Sequence, residues 1–232
     1  MPLQNFKVLT FDVVGTLIDF EGGMLAYLRR AVPGATVSDD AFLAAYRVAR
    51  KSPDVDWYPN DLVRCWHVIA PQLGLPDSAA LAEGFRDSVA AWPAFPDSVA
   101  ALKRLRERFK LVAMTNAQRW ALTHFEKTLD HPFDDSVTCD DALCEKPDPQ
   151  FFAFVRGRLS TRGYTRADNL HVAQSQYHDI GVAKRLGLTT CWIERRHGQL
   201  GFGGTLEVPE LTTPDHHFHT LAQLADAVDA QR

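Results

Sequence analysis

Four polar clusters in this 232-residue chain sit where layered proteins do chemistry. "FDVVGT" carries Asp12 and, four residues on, Thr16; "VAMTNA" carries Thr115 and Asn116; "CEKPDP" carries Lys146; "HVAQSQYHD" carries Gln174, Ser175, Gln176 and Asp179. One carboxylate can attack an electrophile and a second can orient water. Hydroxyls and amides can donate hydrogen bonds, and an ammonium can keep two neighbouring acids ionised. Taken singly, each is ordinary, because an Asp after a strand is most often a turn or cap residue. Taken in order, they make the inventory of an active site.

These clusters need elements that bring them together, and the apolar pattern supplies them. A strand over Phe6 to Asp12 opens the chain. From Glu21 to Ala91 the spacing is helical throughout, with apolar residues at Met24, Leu25 and Leu28, then Phe42, Leu43 and Tyr46, then Leu62 to Ile69 and Leu81 to Val89. Prolines and acids in "KSPDVDWYPND" and "LGLPDS" break this stretch into segments. After "WPAFPDS" short apolar strands alternate with helices: "KLVAMTN", "DSVTC", "NLHVAQS", "TTCWIE" and a closing "HHFH". Alternation of this kind predicts an α/β fold, a Rossmann-like doubly wound parallel sheet with an inserted helical cap. Residues 1–17 and 96–232 are assigned to the core and 18–95 to the cap. Ligand sites in such sheets lie at the carboxyl ends of the strands, where three of the clusters fall, while the fourth places Lys146 at a helix entrance.

The order Asp-x-x-Gly-Thr-Leu, Thr-Asn, Lys-Pro-Asp and a final Asp before a helix resembles the haloacid dehalogenase superfamily over essentially the whole chain. Within it, the sequence is most similar to the (S)-2-haloacid dehalogenase branch. The resemblance implies that Asp12, Thr16, Lys146 and Asp179 are the catalytic residues.

Val14 bears on the reaction. Phosphatases of the superfamily place a second aspartate two residues after the nucleophile, to protonate a departing alkoxide. Valine cannot donate a proton. Halide leaves as a weak base and needs none, so Asp12 beside Val14 suits displacement of halide from carbon, followed by hydrolysis of an aspartyl ester. Metal-using relatives resemble one another in a Gly-Asp-Ser/Asp signature at the last cluster; this chain has Ala173-Gln174-Ser175. Lys146 is therefore expected to balance the two carboxylates, with no metal or cofactor.

Dehalogenases of this type carry a cap arginine for the substrate carboxylate. "FLAAYRVARKS" offers Arg47, with Arg50 and Lys51 as rivals. The substrate-binding set is then Val14, Arg47, Thr115, Asn116, Phe152, Gln174, Ser175 and Gln176, with Trp57 and Tyr177 as further possible walls. The chain departs from those relatives in having Val14 and Phe152 where they tend to have tyrosine, and Gln174-Ser175-Gln176 for Ser-Ser-Asn. The substrate expected is a short 2-haloalkanoic acid, reacting as its S form. A magnesium-dependent phosphatase and a silent binding protein of the same fold are the alternatives. In "DHHFH", His217 and His219 would share a strand face, but no acid or cysteine at ligand spacing in the sequence supports a metal there, and a closing edge strand is preferred.

Bulk properties limit the partners. A formal net charge of -4 without basic runs argues against nucleic acid or an anionic membrane surface. No apolar run is long enough to span a bilayer. Four cysteines without CxxC spacing, and no apolar segment at the start, predict a reduced cytoplasmic protein. The expected partner is a small molecule, with a homodimer possible by analogy.

Overall fold

The computed structural model describes residues 1–52 and 54–231. β1 (Val8–Phe11) is wholly buried and ends one residue before Asp12. Next come α1 (Phe20–Ala31), α2 (Asp39–Ala49), α3 (Leu62–Gln72) and α4 (Ala79–Asp87). Asp19, Ser38 and Ser78 cap α1, α2 and α4, each accepting a backbone N–H of the first turn. This is the helical stretch expected between Glu21 and Ala91. Its interior is aromatic: Tyr27, Phe42, Trp66 and Phe85 meet with ring centroids 5.5–5.9 Å apart.

The chain enters and leaves this insert side by side. Ile18 pairs antiparallel with Ala94, Asp19 N–H donates to the Pro93 carbonyl at 2.8 Å, and Phe95 N–H donates to that of Leu17 at 2.9 Å. Apolar packing does not stop at this crossing, because Trp92 stacks on Phe125 (6.5 Å, 23°) and joins the aromatic cluster to the sheet.

Beyond it lie α5 (Ser98–Arg106), β2 (Lys110–Met114), α6 (Arg119–Thr128), β3 (Asp135–Val137), a single turn α7 (Cys139–Ala142), α8 (Pro149–Ser160), β4 (Asn169–Ala173), α9 (Gly181–Arg185), β5 (Thr189–Ile193), β6 (His216–Phe218) and α10 (Leu221–Asp229). The strands form one parallel sheet of order β3-β2-β1-β4-β5-β6. This is the α/β, Rossmann-like architecture expected. The order reverses direction at β1, so the crevice beyond the carboxyl ends of β1, β2 and β4 is the place for a ligand. All four cysteines are free, and among the described residues no helix is long and apolar enough to cross a membrane.

Two features near the crevice are not visible in the sequence pattern. A π-helical turn, Gln176–Ile180, leads into α9. The segment between β5 and β6 has no regular structure in its middle, yet it covers the crevice with Gly204, Thr205 and Leu206.

Candidate active site

Asp12 follows β1 in a loop that turns back on itself: Gly15 N–H donates to the Ile18 carbonyl at 2.8 Å, and Leu17 and Ile18 N–H both donate to that of Val13. Gly15 takes φ +89°, a backbone conformation that favours glycine, and a Cβ there would press on the Phe20 ring at 3.2 Å. The loop aims the Thr16 hydroxyl at Asp12 Oδ2, 2.6 Å away. Thr16 Oγ1 in turn accepts the Gln174 N–H at 2.8 Å, tying the loop to the end of β4.

Lys146 is the hub. Its buried ammonium donates to Asp12 Oδ1 at 3.0 Å, Asp179 Oδ1 at 2.6 Å and the Met114 carbonyl at 2.8 Å. Its peptide is clamped by Asn116, whose Nδ2 donates to the Lys146 carbonyl (2.8 Å) and whose Oδ1 accepts the Lys146 N–H (2.7 Å). Burial pushes the ammonium towards neutrality, but the two carboxylates more than offset this and raise its pKa. Burial also raises the Asp12 carboxyl, against the pull of Lys146 and with Asp179 adding to the rise. For Asp179 burial is the largest single influence and acts upward, yet Lys146 and His171 together bring it down to about 2. The two acids therefore differ, and Asp179 holds its charge more firmly.

His171, on β4, was not anticipated. Its Nε2 lies 3.0 Å from Asp179 Oδ1 and its Nδ1 3.0 Å from Thr10 Oγ1. Asn169 donates to that same hydroxyl at 3.2 Å. With Thr10 accepting from Asn169 and donating to Nδ1, the ring is left to donate a hydrogen bond from Nε2 to Asp179. No periodicity rule flags a histidine inside a buried strand as part of a site; only the sheet pairing that puts Thr10 opposite His171 does.

A cavity of about 80 Å³ opens over Asp12. Asp12, Val14, Thr115, Asn116, Lys146, Gln174, Ser175 and Asp179 line it, as the sequence suggested. So do residues that the sequence did not single out: Phe20, Tyr46, Tyr58, and Gly204 to Leu206 of the covering segment. His178 also lines it; the Ser175 hydroxyl accepts its N–H at 2.9 Å and lies 3.2 Å from its Nδ1. Burial lowers the His178 pKa to about 4, so the ring is neutral at ordinary pH.

Three of the expected binding residues, Arg47, Phe152 and Gln176, are placed otherwise, and a fourth, Asn116, lines the cavity with its amide engaged elsewhere. Arg47 turns away from the cavity, donating to the Gly203 carbonyl and pairing with Glu207 at 2.9 Å. Arg50, one helical turn on, lines the cavity instead, because buried Asp61 draws its guanidinium inward at 2.5 Å, with Glu145 at 3.6 Å and the Tyr58 ring beneath it. Asn116 lines the wall, but both ends of its amide are committed to Lys146. Phe152 packs edge-on against His171 (5.8 Å, 79°) and lines a separate hollow. Gln176 is buried and exchanges hydrogen bonds with the backbone of Thr212 at 3.0 and 3.4 Å, so it anchors the covering segment.

Comparison with solved structures finds the same fold. The L-2-haloacid dehalogenase from Xanthobacter autotrophicus superposes with a TM-score of 0.75 at 20% identity, covering 98% of this chain and 100% of that one. L-2-haloacid dehalogenase RSc1362 does so with a TM-score of 0.77 at 21% identity (97% and 99% covered). The HAD-hydrolase YfnB from Bacillus subtilis, bound to magnesium, gives 0.76 at 19% identity (97% and 99%). No curated relative matches. The model of the haloacid dehalogenase-like hydrolases matches residues 6–187, spanning Asp12, Lys146 and Asp179 alike, and the chain belongs to that family of hydrolases.

Proposed function

We propose that the protein is a hydrolytic dehalogenase of short 2-haloacids in which Asp12 is the nucleophile. The observation that carries this reading is the placement of Lys146 between Asp12 and Asp179, at the floor of a small cavity whose wall near the nucleophile is Val14 rather than an acid. An Asp12 oxygen attacks C2 of the substrate, and halide departs with the bonding pair, giving an ester. Water then adds to the Asp12 carbonyl carbon. One of its protons goes to the departing alkoxide of the 2-hydroxy acid, and the other is released as Asp12 returns to carboxylate. Asp179 Oδ2, buried and without a hydrogen-bond partner among the described residues, is the acceptor that orients this water. The product is formed with inversion.

Arg50 is assigned to the substrate carboxylate. Tyr58 lines the same cavity, and its buried hydroxyl has no partner among the described residues, so it is the second donor. The cavity is of a size to suit a small substrate such as a three-carbon haloacid.

Magnesium, which other members of the family use, fits this donor set poorly. Mg²⁺ needs near-octahedral oxygen ligands. Of the carboxylate oxygens of Asp12 and Asp179, only Asp179 Oδ2 is not already bonded to Thr16, Lys146 or His171, and Gln174 replaces an acid. No step is routed through a metal.

The test is a panel of short 2-haloacids and small phosphate esters, with EDTA or Mg²⁺, reading halide and phosphate. Halide release that persists in EDTA, together with ¹⁸O from water appearing first in Asp12 during a single turnover, is the expected result. Phosphate release that requires Mg²⁺ would replace this reading with the phosphatase one.

A further inference from the structure

The closing strand carries imidazoles that the cavity does not use. β6 pairs with β5 so that Trp192 lies opposite His217 and Ile193 opposite Phe218, and Glu194 N–H continues the ladder to the Phe218 carbonyl at 2.8 Å. Side chains alternate along a strand, so His217 and His219 share a face with Trp192 and Glu194. Glu194 Oε2 consequently lies 2.8 Å from His217 Nε2 and 3.8 Å from His219 Nε2. A ligand atom from each of these three residues lies within 4.8 Å of the others. His197, on the turn after β5, brings Nδ1 to 3.2 Å from the same oxygen, and its ring stacks on His219 at 3.4 Å. Trp192 stacks on His217 at 4.5 Å.

A carboxylate does not need three imidazoles to be satisfied. Two ring nitrogens and a carboxylate oxygen converging on one point are the donors of a borderline divalent cation. With metal–ligand bonds near 2.1 Å, a tetrahedral site holds its ligand atoms roughly 3.4 Å apart, and the 2.8 and 3.8 Å separations straddle that spacing. We propose that Glu194, His217 and His219 bind a divalent transition-metal cation of the zinc class, with His197 and Trp192 holding the two rings and the fourth position open to water. The ligands join the edge strand to the end of β5. From there the chain runs on to the cover supplying Gly204 to Leu206, and Trp192 Nε1 donates to the carbonyl of Gln174 in the cavity wall at 2.8 Å. Bound cation would therefore pin the sheet edge and the root of the cover, apart from the reacting atoms.

The test is titration of the chelator-stripped full chain with Zn²⁺, followed by calorimetry and thermal melting. Uptake of one Zn²⁺ per chain is expected, with a rise in Tm and no competition from Mg²⁺. Cu²⁺ should quench part of the tryptophan emission, and Trp192→Phe should remove that part. His217→Ala/His219→Ala should weaken Zn²⁺ uptake at least tenfold and abolish the Tm rise. Glu194→Gln, which preserves shape, should act in the same direction if the double variant folds poorly. His67→Ala and Asp12→Asn should bind as wild type. Absence of stoichiometric uptake, uptake unchanged in Glu194→Gln and the double variant, or its loss in Asp12→Asn would each overturn the site. None of these readouts depends on the reaction proposed for Asp12.

Discussion

Arg50 and Asp61 form a 2.5 Å ion pair inside the helical insert, and this pair directs a cation to the cavity. Asp61 is fully buried and also holds Arg64 at 2.6 Å. Its carboxyl is accordingly lowered: burial acts upward, but the hydrogen bonds from Arg64 and the charge of Arg50 prevail.

Arg50→Lys keeps the charge but loses the planar fork, and should reduce kcat/KM for a short 2-haloacid by roughly ten- to hundredfold, the worth of about 1.5–3 kcal/mol for a charge-assisted hydrogen bond. Arg47→Ala, outside the cavity, should stay within roughly twofold, as for an ordinary surface change of about 0.5 kcal/mol. Steady-state kinetics on both variants separate the two. The reverse ranking would return the carboxylate to Arg47.

Lys146→Met should abolish turnover at neutral pH and cost about 3–5 kcal/mol of stability, because two buried carboxylates then face each other uncompensated. The sign follows from the shifts. Asp179, held at about 2 in the folded chain, contributes stability that is present above the ordinary carboxylate range and lost as the pH falls towards 2. Lys146 is a main source of that lowering, so the variant should lose this contribution. Any residual activity should have its acid limb moved to higher pH, since Asp12 would protonate more easily. A pH–rate profile and denaturant melts check both.

How far the sequence revealed this site depends on what each residue reports to. Asp12, Lys146 and Asp179 were legible because each follows a recognisable strand or opens a turn. Which of Arg47 and Arg50 reaches the cavity was not, since only two residues separate them and the partner that draws Arg50 inward, Asp61, lies at the start of the next helix. Glu194 escaped for a similar reason: it is 23 residues from His217, and only the β5–β6 register makes them neighbours. The π-turn bringing Gln176 to Thr212 looks, in apolar spacing, like the start of an ordinary helix. The cover at Gly204 to Leu206 has no periodicity to read.

His171 contacts Asp179 and not the cavity, so under the proposed function it is expected to act as a positioning residue. His171→Phe removes the donor on Asp179 Oδ1, and should lower kcat about tenfold or more, with KM little changed. It should also raise the Asp179 pKa, which a shift in the acid limb of the kcat profile would show. His171→Gln, which can still donate, should restore much of the rate. A Phe variant with an unaltered profile would reduce His171 to packing.

His178 should make stability sensitive to mild acid. Its folded pKa of about 4 lies below the ordinary 6.5, so between those values the unfolded chain takes up the proton first. Stability from this group is full above pH 6.5 and falls as the pH drops towards 4. Tm measured across that window should decline, and His178→Gln should flatten the decline. Some slope should remain, because burial lowers His216 in the same direction.

Thr205 reaches Gln174 at 3.3 Å, and the cavity draws its wall from stretches as distant in sequence as Asp12 and Leu206. Contacts of such separation pay loop-closure entropy before they gain anything, so they form late. During refolding, helical ellipticity should therefore appear before catalytic competence. Activity that recovers later than ellipticity in a refolding time course would mark the chamber as the last part of the chain to form.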